Sequence, residues 1–570
     1  MGKENEPVMP VTVEKRIPKE KYSLSLEEFR DIVAREKKDG KEEFFIPIFR
    51  TLASDFDTPG LLYDRLTKDD KERKGKKTFF PTVLLESVAH GVDLGRWSYV
   101  CVDPKEEIRV TENEISEVNS NGKVTTRSGE RIDPLKAIEE KVSKPTIETP
   151  GLPPFTGGCV GYVGYEAASA FEEKVPKSNP DVLGIPEAVL YEFDTVIAFD
   201  HAKNEMKVVG NIHVGDHADL DNLYNQATSR IDGLVDRINA PVTIWSKAVD
   251  KPRREREVKS NFTKEEYMEI VRRAREYIMA GDIIQVVPSQ RWAVETDANP
   301  FDIYRASRRG NPSPFMFYFD TGDFQLIGAS PELLLKVEDR TITTYPLAGT
   351  RPRGKPEEDA RLEHELKTDE KERAEHIMLV DLARNDIGRV ARPGSVKVPK
   401  LMEVSYFPTI MHLGSVVTGE LADDKTPFDA FRSNFPVGTV SGAPKIRAMQ
   451  IVNELEKERR GAYAGAFGYF AYGGNIEAAI AIRTMVHIPK EERKIENPRF
   501  KERGIRGIFK KIIRPKHRDK TKTEYGTGGT VYLQAGGGVV FDSDPETEYN
   551  ETVAKRRGSL GAIRSAEEEY

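Results

Sequence analysis

The chain has 570 residues, 38% hydrophobic and 32% charged, with a net charge of −7 from 87 basic and 94 acidic side chains. An apolar share of that size fills a core and excludes wholesale disorder, and the acidic balance excludes a chain built overall to wrap nucleic acid. Two cysteines, Cys101 and Cys159, are too few for a disulfide framework or a cysteine-rich zinc or iron–sulfur site.

The opening residues are polar and lack the apolar run of a signal peptide. The first predicted element is a helix over Leu26–Lys38 with Ser25 as its cap, followed by a strand in FFIPIFRTLA. Residues 68–77 (KDDKERKGKK) read as a charged surface loop. FFPTVLLESV and WSYVCVDP are β-rich, the proline-spaced stretch 134–154 reads as a linker, and 155–215 alternates glycine-rich and β-branched segments. A helical pattern covers 221–239. The basic stretch 247–259 then marks the expected boundary between an N-terminal region, 1–250, and a second region, 251–570.

The second region opens on a helix capped by Thr263, with Glu266 three residues on and apolar residues at Tyr267, Ile270, Val271, Ala274 and Ile278. Gly281 stops it. IIQVVPSQRWAV reads as one strand, and FMFYFD with FQLIGAS as a hairpin. Helices and strands alternate without a regular βαβ repeat, which predicts an α+β fold with large antiparallel sheets. Residues 488–528 carry 14 Lys/Arg and six Asp/Glu, a local charge of +8, between two β-rich stretches. They read as a surface insertion in a hairpin: a solvated loop, or a docking site for an acidic partner or nucleic acid. Sparse aromatics speak against single-strand binding. No uncharged run has the length and apolarity of a membrane helix, so the chain reads as soluble and cytoplasmic.

Two carboxylate pairs, Glu372 with Glu375 and Glu548 with Glu551, each share one helix face at spacing i, i+3. Such faces brought together suit Mg²⁺, which takes hard oxygen ligands; either pair also fits an exposed helix. The glycine strings PLAGTRPRG (346–354) and QAGGGVV (534–540) offer backbone N–H groups to an anion, or tight turns. Neither matches a phosphate loop or a dinucleotide fingerprint. His412 lies in a strand-like apolar run, the setting of a core histidine. Arg483, in AAIAIRTMV, reads as a buried-strand arginine in need of an anionic partner. Cys159 lacks the neighbours of a nucleophile.

Taken in order and spacing, PLAGTRPRG, AEHIMLVDLARNDIGRV, MHLGSVVTGEL, FPVGTVSGAPKIRAM, GAYAGAFGYF, AAIAIRTMV and QAGGGVVFDSDPETEYNET resemble the chorismate-utilising enzymes, and among them the aminase components of anthranilate synthase. The resemblance spans roughly residues 25–570 and is most specific from 255 onward. It implies a large two-sheet β-sandwich with outer helices, chorismate as substrate and Mg²⁺ as cofactor. It further implies that Glu375 and Glu551 hold the metal, with Glu372 and Glu548 supporting through water, and that His412 is the catalytic histidine. Gly349, Thr350, Tyr463, Arg483, Gly536, Gly537, Gly538 and Lys555 match its chorismate-binding positions. Ammonia would come from a separate glutamine amidotransferase subunit, because the synthase resemblance consumes the length such a domain needs.

Two positions separate the relatives. Aminodeoxychorismate synthases carry a nucleophilic lysine where this chain has Ala348, and isochorismate and salicylate synthases carry a water-activating lysine where it has Gln285. Neither residue can do that chemistry, which leaves ammonia as nucleophile and anthranilate with pyruvate as products. The alternatives are an aminodeoxychorismate synthase component, an isochorismate synthase, or a non-catalytic tryptophan-binding paralogue; intact Glu375, Glu551, His412 and Lys555 speak against the last. LLES (84–87) and NPSPFM (311–316) resemble the family's tryptophan site, which implies feedback inhibition through Ser87, Pro314, Phe315 and Met316 and a regulatory role for 1–250. Phe315 stands where Tyr is more usual. The insertion at 488–528 departs from compact members, and its far end is expected to point away from the site.

Overall fold

The computed structural model describes residues 21–73, 81–87, 95–240, 255–406, 410–490 and 528–569. Two large sheets dominate it, and the named strands within them pair antiparallel among the described residues. The first, of eleven strands, begins at Phe44–Ala53. Thr82–Glu86, Phe315–Asp320, Gln325–Ser330, Thr484–Pro489 and Gly529–Gly536 follow one another through its middle. The second, of twelve, carries Leu347–Pro352 and Ile410–Glu420 at one end and includes Leu333–Glu338, Ile476–Ile480, Ala466–Ala471 and Gly158–Val163.

Strand side chains alternate between faces, and that alternation sorts the core into layers. Val83, Phe317 and Phe319 enter a cluster shared with Tyr162, Tyr191 and Phe467 of the second sheet. Phe317 stacks on Phe467 there at 4.0 Å between ring centroids. Their neighbours Leu84, Met316 and Tyr318 face the other way, against the helices that cover the first sheet. A third cluster joins the second sheet to its own helices. The result is the predicted α+β sandwich with helices outside.

Where local signals were clear, the elements follow them. Leu26–Lys38 begins at a capping box in which Ser25 and Glu28 bond each other's backbone N–H, and Lys264–Met279 at the equivalent box of Thr263 and Glu266. Elsewhere packing overrides the sequence reading. The charged loop expected at 68–77 is helical up to Arg73, within Pro59–Arg73; residues 74–77 lie outside the described residues. The linker expected at 134–154 begins with the helix Pro134–Val142, capped by Asp133, because Leu135, Ala137, Ile138 and Val142 bury one face. IIQVVPSQRWAV is not one strand. It breaks at Pro288, which has no N–H for a ladder, so Gln285–Val286 pairs with Gly442–Ala443 while Ser289–Thr296 joins the first sheet. AAIAIRTMV breaks at Arg483, where the chain passes from the second sheet into the first.

Residues 241–254, where the boundary was expected, lie outside the described residues. Strands from both sides of it share each sheet, so the two regions interleave in one sandwich. Among the described residues no helix is long and apolar enough to cross a membrane.

Candidate active site

The site gathers where Leu347–Pro352 and Ile410–Glu420 pack on the helix Glu370–Gly388, with the helix Pro545–Lys555, which packs on Gly529–Gly536, within electrostatic reach of its carboxylates. Gly349 forms a bulge in the strand pair, with φ of +65°, and its neighbour Thr350 registers with His412. A Cβ at 349 would sit 2.8 Å from Leu366 and 2.9 Å from the Glu372 carboxylate, so only glycine lets the strand lie this close. The freed Gly349 carbonyl accepts the Nδ1 hydrogen of His412 at 2.8 Å. Burial, followed by the charges of Arg483 and Lys555, lowers the His412 pKa against the opposing effect of that bond. The ring is therefore neutral near pH 7, with Nε2 as its lone-pair nitrogen.

The i, i+3 spacing puts both carboxylate pairs on the helices as expected. Asp369 caps the first helix through the amides of Lys371 and Glu372. Arg351 ties the bulged strand to that turn, donating to Glu372 at 2.8 Å and Asp369 at 3.1 Å. Burial and the nearby charges of Glu372, Glu551 and Asp542 push Glu375 up to about 7, against Lys371. Burial and Glu551 likewise push Glu548 up to about 7, against a bond from Ser543. Glu548 is 7% exposed, and its Oε2 is buried with no hydrogen-bond partner among the described residues. Carboxylates crowded and desolvated in this way call for a cation. Among the described residues no three or more acidic, histidine or cysteine side chains are grouped to hold a metal ion by themselves. A few carboxylates carried on two helices would suit Mg²⁺, which fills its shell with waters and substrate oxygens.

Opposite the carboxylates lie cations and donors. Arg483 is half-buried, holds φ of +50° and makes no side-chain hydrogen bond or ion pair among the described residues. Burial lowers its pKa. Left-handed backbone at a non-glycine residue costs on the order of 1–3 kcal/mol and clusters at functional sites. Tyr463, buried and raised to about 12 by that burial, has its hydroxyl 3.0 Å from where a Cβ on Gly536 would stand. A Cβ on Gly537 would meet Glu548 Oε2 at 3.1 Å, and one on Gly538 the amide nitrogen of Gln285 at 2.7 Å. The glycine string thus threads between Tyr463, Glu548 and Gln285. Lys555 donates to the Gly536 carbonyl at 2.8 Å and pairs with Glu551 at 2.7 Å. The structure therefore brings Gly349, His412, Glu375, Glu551, Tyr463, Arg483, Gly536, Gly537, Gly538 and Lys555 into one electrostatic neighbourhood, with the Thr350 backbone beside His412.

Two groups escaped the sequence reading. Burial pushes Glu332 up to about 8, although the Leu347 amide and the Lys555 charge pull it back. That shift favours the neutral acid near pH 7, within the electrostatic reach of Lys555. The Thr439 hydroxyl, on the short helix Gly438–Ser441, faces the same carboxyl. A charged residue between the apolar strands of GASPELLL was the available signal for Glu332. Gln285 is buried, and its Oε1 has no hydrogen-bond partner among the described residues. Cys159 is also buried, and its thiol is pushed well above the usual range, in keeping with no catalytic use.

Ser87, Pro314, Phe315 and Met316 form a second group. Met316 registers with Glu86, which sets Ser87 beside Phe315 at the strand ends. Glu86 is buried, receives the Tyr304 hydroxyl at 2.5 Å and is paired with Arg308 at 3.0 Å. Phe315 registers on its other side with Ser330, two residues from Glu332.

Residues 81–495 and 522–561 match the model of the chorismate binding enzymes, and the chain belongs to that family. It is 39% identical over 536 residues to anthranilate synthase component 1 of Pseudomonas putida, covering 92% of this chain and 96% of that protein. It is 40% identical over 548 residues to the Aquifex aeolicus protein of the same name, covering 96% and 99%. The crystal structure of anthranilate synthase component I from Streptococcus pneumoniae TIGR4 matches with a TM-score of 0.66 at 34% identity, covering 83% of this chain and 94% of that one.

Proposed function

We propose that this chain is the aminase component of an anthranilate synthase, converting chorismate and ammonia to anthranilate and pyruvate, with ammonia delivered by a separate glutaminase subunit. The names of its relatives support the reading. The observation that carries it is Gln285: a neutral, buried amide stands against Gly538, where a water-adding relative would hold a basic lysine.

Glu375 and Glu551 would hold Mg²⁺, with Glu372 and Glu548 behind them. When bound, that ion supplies an electrophilic grip on a carboxylate oxygen of the substrate and draws electron density from the ring. Arg483 and Tyr463 bind the second carboxylate, Arg483 bringing a guanidinium with no side-chain partner among the described residues and Tyr463 a donor hydroxyl. Glu332, protonated, holds the proton that leaves with the C4 hydroxyl as water. Ammonia adds at C2. The ammonium so formed returns one proton to the Glu332 carboxylate; C2 then loses its proton as the C3–O bond breaks, that proton goes to the departing enolpyruvyl group, and pyruvate leaves the aromatic anthranilate behind. Neutral His412 takes part as an acid–base or electrostatic group through Nε2. The adjacency of Ser87 and Phe315 supports a tryptophan feedback site.

The test is incubation of the chain with chorismate, Mg²⁺ and an ammonium salt. Anthranilate fluorescence is expected without any partner; isochorismate as product would sink the Gln285 argument, and no turnover would sink the reading.

A further inference from the structure

Beneath Tyr463 lies a buried cation that the mechanism does not use. Arg460 is 1% exposed. Its Nη1 donates to the Val440 carbonyl at 2.7 Å and its Nη2 to the Val287 carbonyl at 2.6 Å. Nε and Nη2 grip Glu456, the shortest of these bonds being 2.6 Å. Glu456 is fixed in turn by the amide and hydroxyl of Ser289, at 2.8 and 2.9 Å. A guanidinium is planar and offers donors in a rigid fork, so these partners on three separate segments leave it one position. From that position its carbon stands 4.6 Å from the ring centroid of Tyr165 and 5.6 Å from that of Tyr463. Both rings present their π-faces to a desolvated cation, the setting in which that attraction is strongest.

A buried ion pair adds little net stability over an apolar isostere of the same volume. It does set geometry, and here the geometry it sets is that of a tyrosine whose hydroxyl touches the glycine string. We propose that Arg460 is a positioning residue for chorismate binding, acting through Tyr463: the fork held by Glu456, Val287 and Val440 fixes the cation, and the cation fixes the aim of the Tyr463 hydroxyl. The inference rests on the reading of Tyr463 as a substrate ligand.

The test is Arg460→Lys, which keeps the charge but loses the fork. In ammonia-dependent turnover the KM for chorismate is expected to rise about ten-fold with kcat within about three-fold, because the lost contact is made in ground and transition states alike. KM does not depend on the fraction of folded enzyme, so a merely structural role would leave it unchanged. Against Tyr463→Phe, Arg460→Lys should raise KM by no more than about two-fold further, since residues acting as one unit are not additive. An unchanged KM in the folded lysine variant, or full additivity with Tyr463→Phe, overturns the proposal. If the lysine variant does not fold, Glu456→Gln is read by the same KM; loss of folding in both assigns the pair to the core alone and also overturns it. Wild-type enzyme that turns over no chorismate would instead sink the functional reading.

Discussion

His412 donates its Nδ1 hydrogen to the carbonyl oxygen of Gly349 at 2.8 Å, across the bulge that Gly349 opens in the strand pair. One bond thus joins the two glycine-dependent features of this edge, the left-handed backbone at 349 and a fixed imidazole tautomer. Replacing His412 with Ala should lower kcat by about 100-fold or more in the ammonia-dependent assay, the usual scale of a lost acid–base group. The melting temperature should stay within a few degrees, as for a half-buried site. A loss of less than about ten-fold would return His412 to the core.

If Glu332 is the general acid, the rate is sensitive to alkali. Burial raises its pKa to about 8, so the protonated form dominates below that value and is lost above it. If that proton leaves with the C4 hydroxyl, kcat falls as pH rises through about 8, and Glu332→Gln flattens this limb at a low rate. A limb that persists in Glu332→Gln belongs to another group.

If Glu375 and Glu551 hold Mg²⁺, the folded chain is a receptor for a divalent cation. Adding Mg²⁺ should raise the melting temperature in proportion to the logarithm of its concentration above Kd, and chelation should abolish turnover reversibly. Glu375→Gln or Glu551→Gln should remove most of the Mg²⁺-dependent thermal shift while leaving the metal-free fold intact. An equal shift in both variants would place the ion elsewhere.

The pairing of Thr82–Glu86 with Phe315–Asp320 sets Ser87 beside Phe315, and Phe315 beside Ser330. If tryptophan binds between these strings, Ser87→Phe fills the space, and anthranilate formation becomes insensitive to millimolar tryptophan with its basal rate retained. Wild-type activity unaffected by tryptophan would refute the regulatory reading.

The basic insertion at 488–528 largely lies outside the described residues, but both its ends are fixed. Pro489 registers with Gly529, and the Lys490 amide bonds the Gly528 carbonyl at 3.2 Å. The same hairpin carries Arg483 just before its opposite end, roughly 20 Å away at about 3.3 Å per residue. Replacing residues 491–527 by an Asn-Gly turn should therefore leave chorismate turnover within about three-fold. Complete loss of activity in a folded variant would mean that the insertion reaches the site.

Much of this was legible beforehand because the signals are local. Ser25 with Glu28 and Thr263 with Glu266 announce their helices within four residues. The spacing of Glu372 with Glu375, and of Glu548 with Glu551, needs only one turn of helix to put each pair on a common face. The glycine strings and Arg483 were recognisable as strings. What they do to one another was decided by packing. The bulge at Gly349, the break at Arg483 between two sheets and the helix at Pro134–Val142 depend on partners far along the chain. So do the raised pKa of Glu332, the Glu548 oxygen with no partner among the described residues and the clamp of Arg460. Desolvation is set by everything that packs around a group, and no window of sequence contains it. Residue chemistry and spacing were thus determined by the sequence alone; which carboxyls are desolvated, which cation has no side-chain partner among the described residues and which rings face Arg460 were decided only when the two sheets closed on each other.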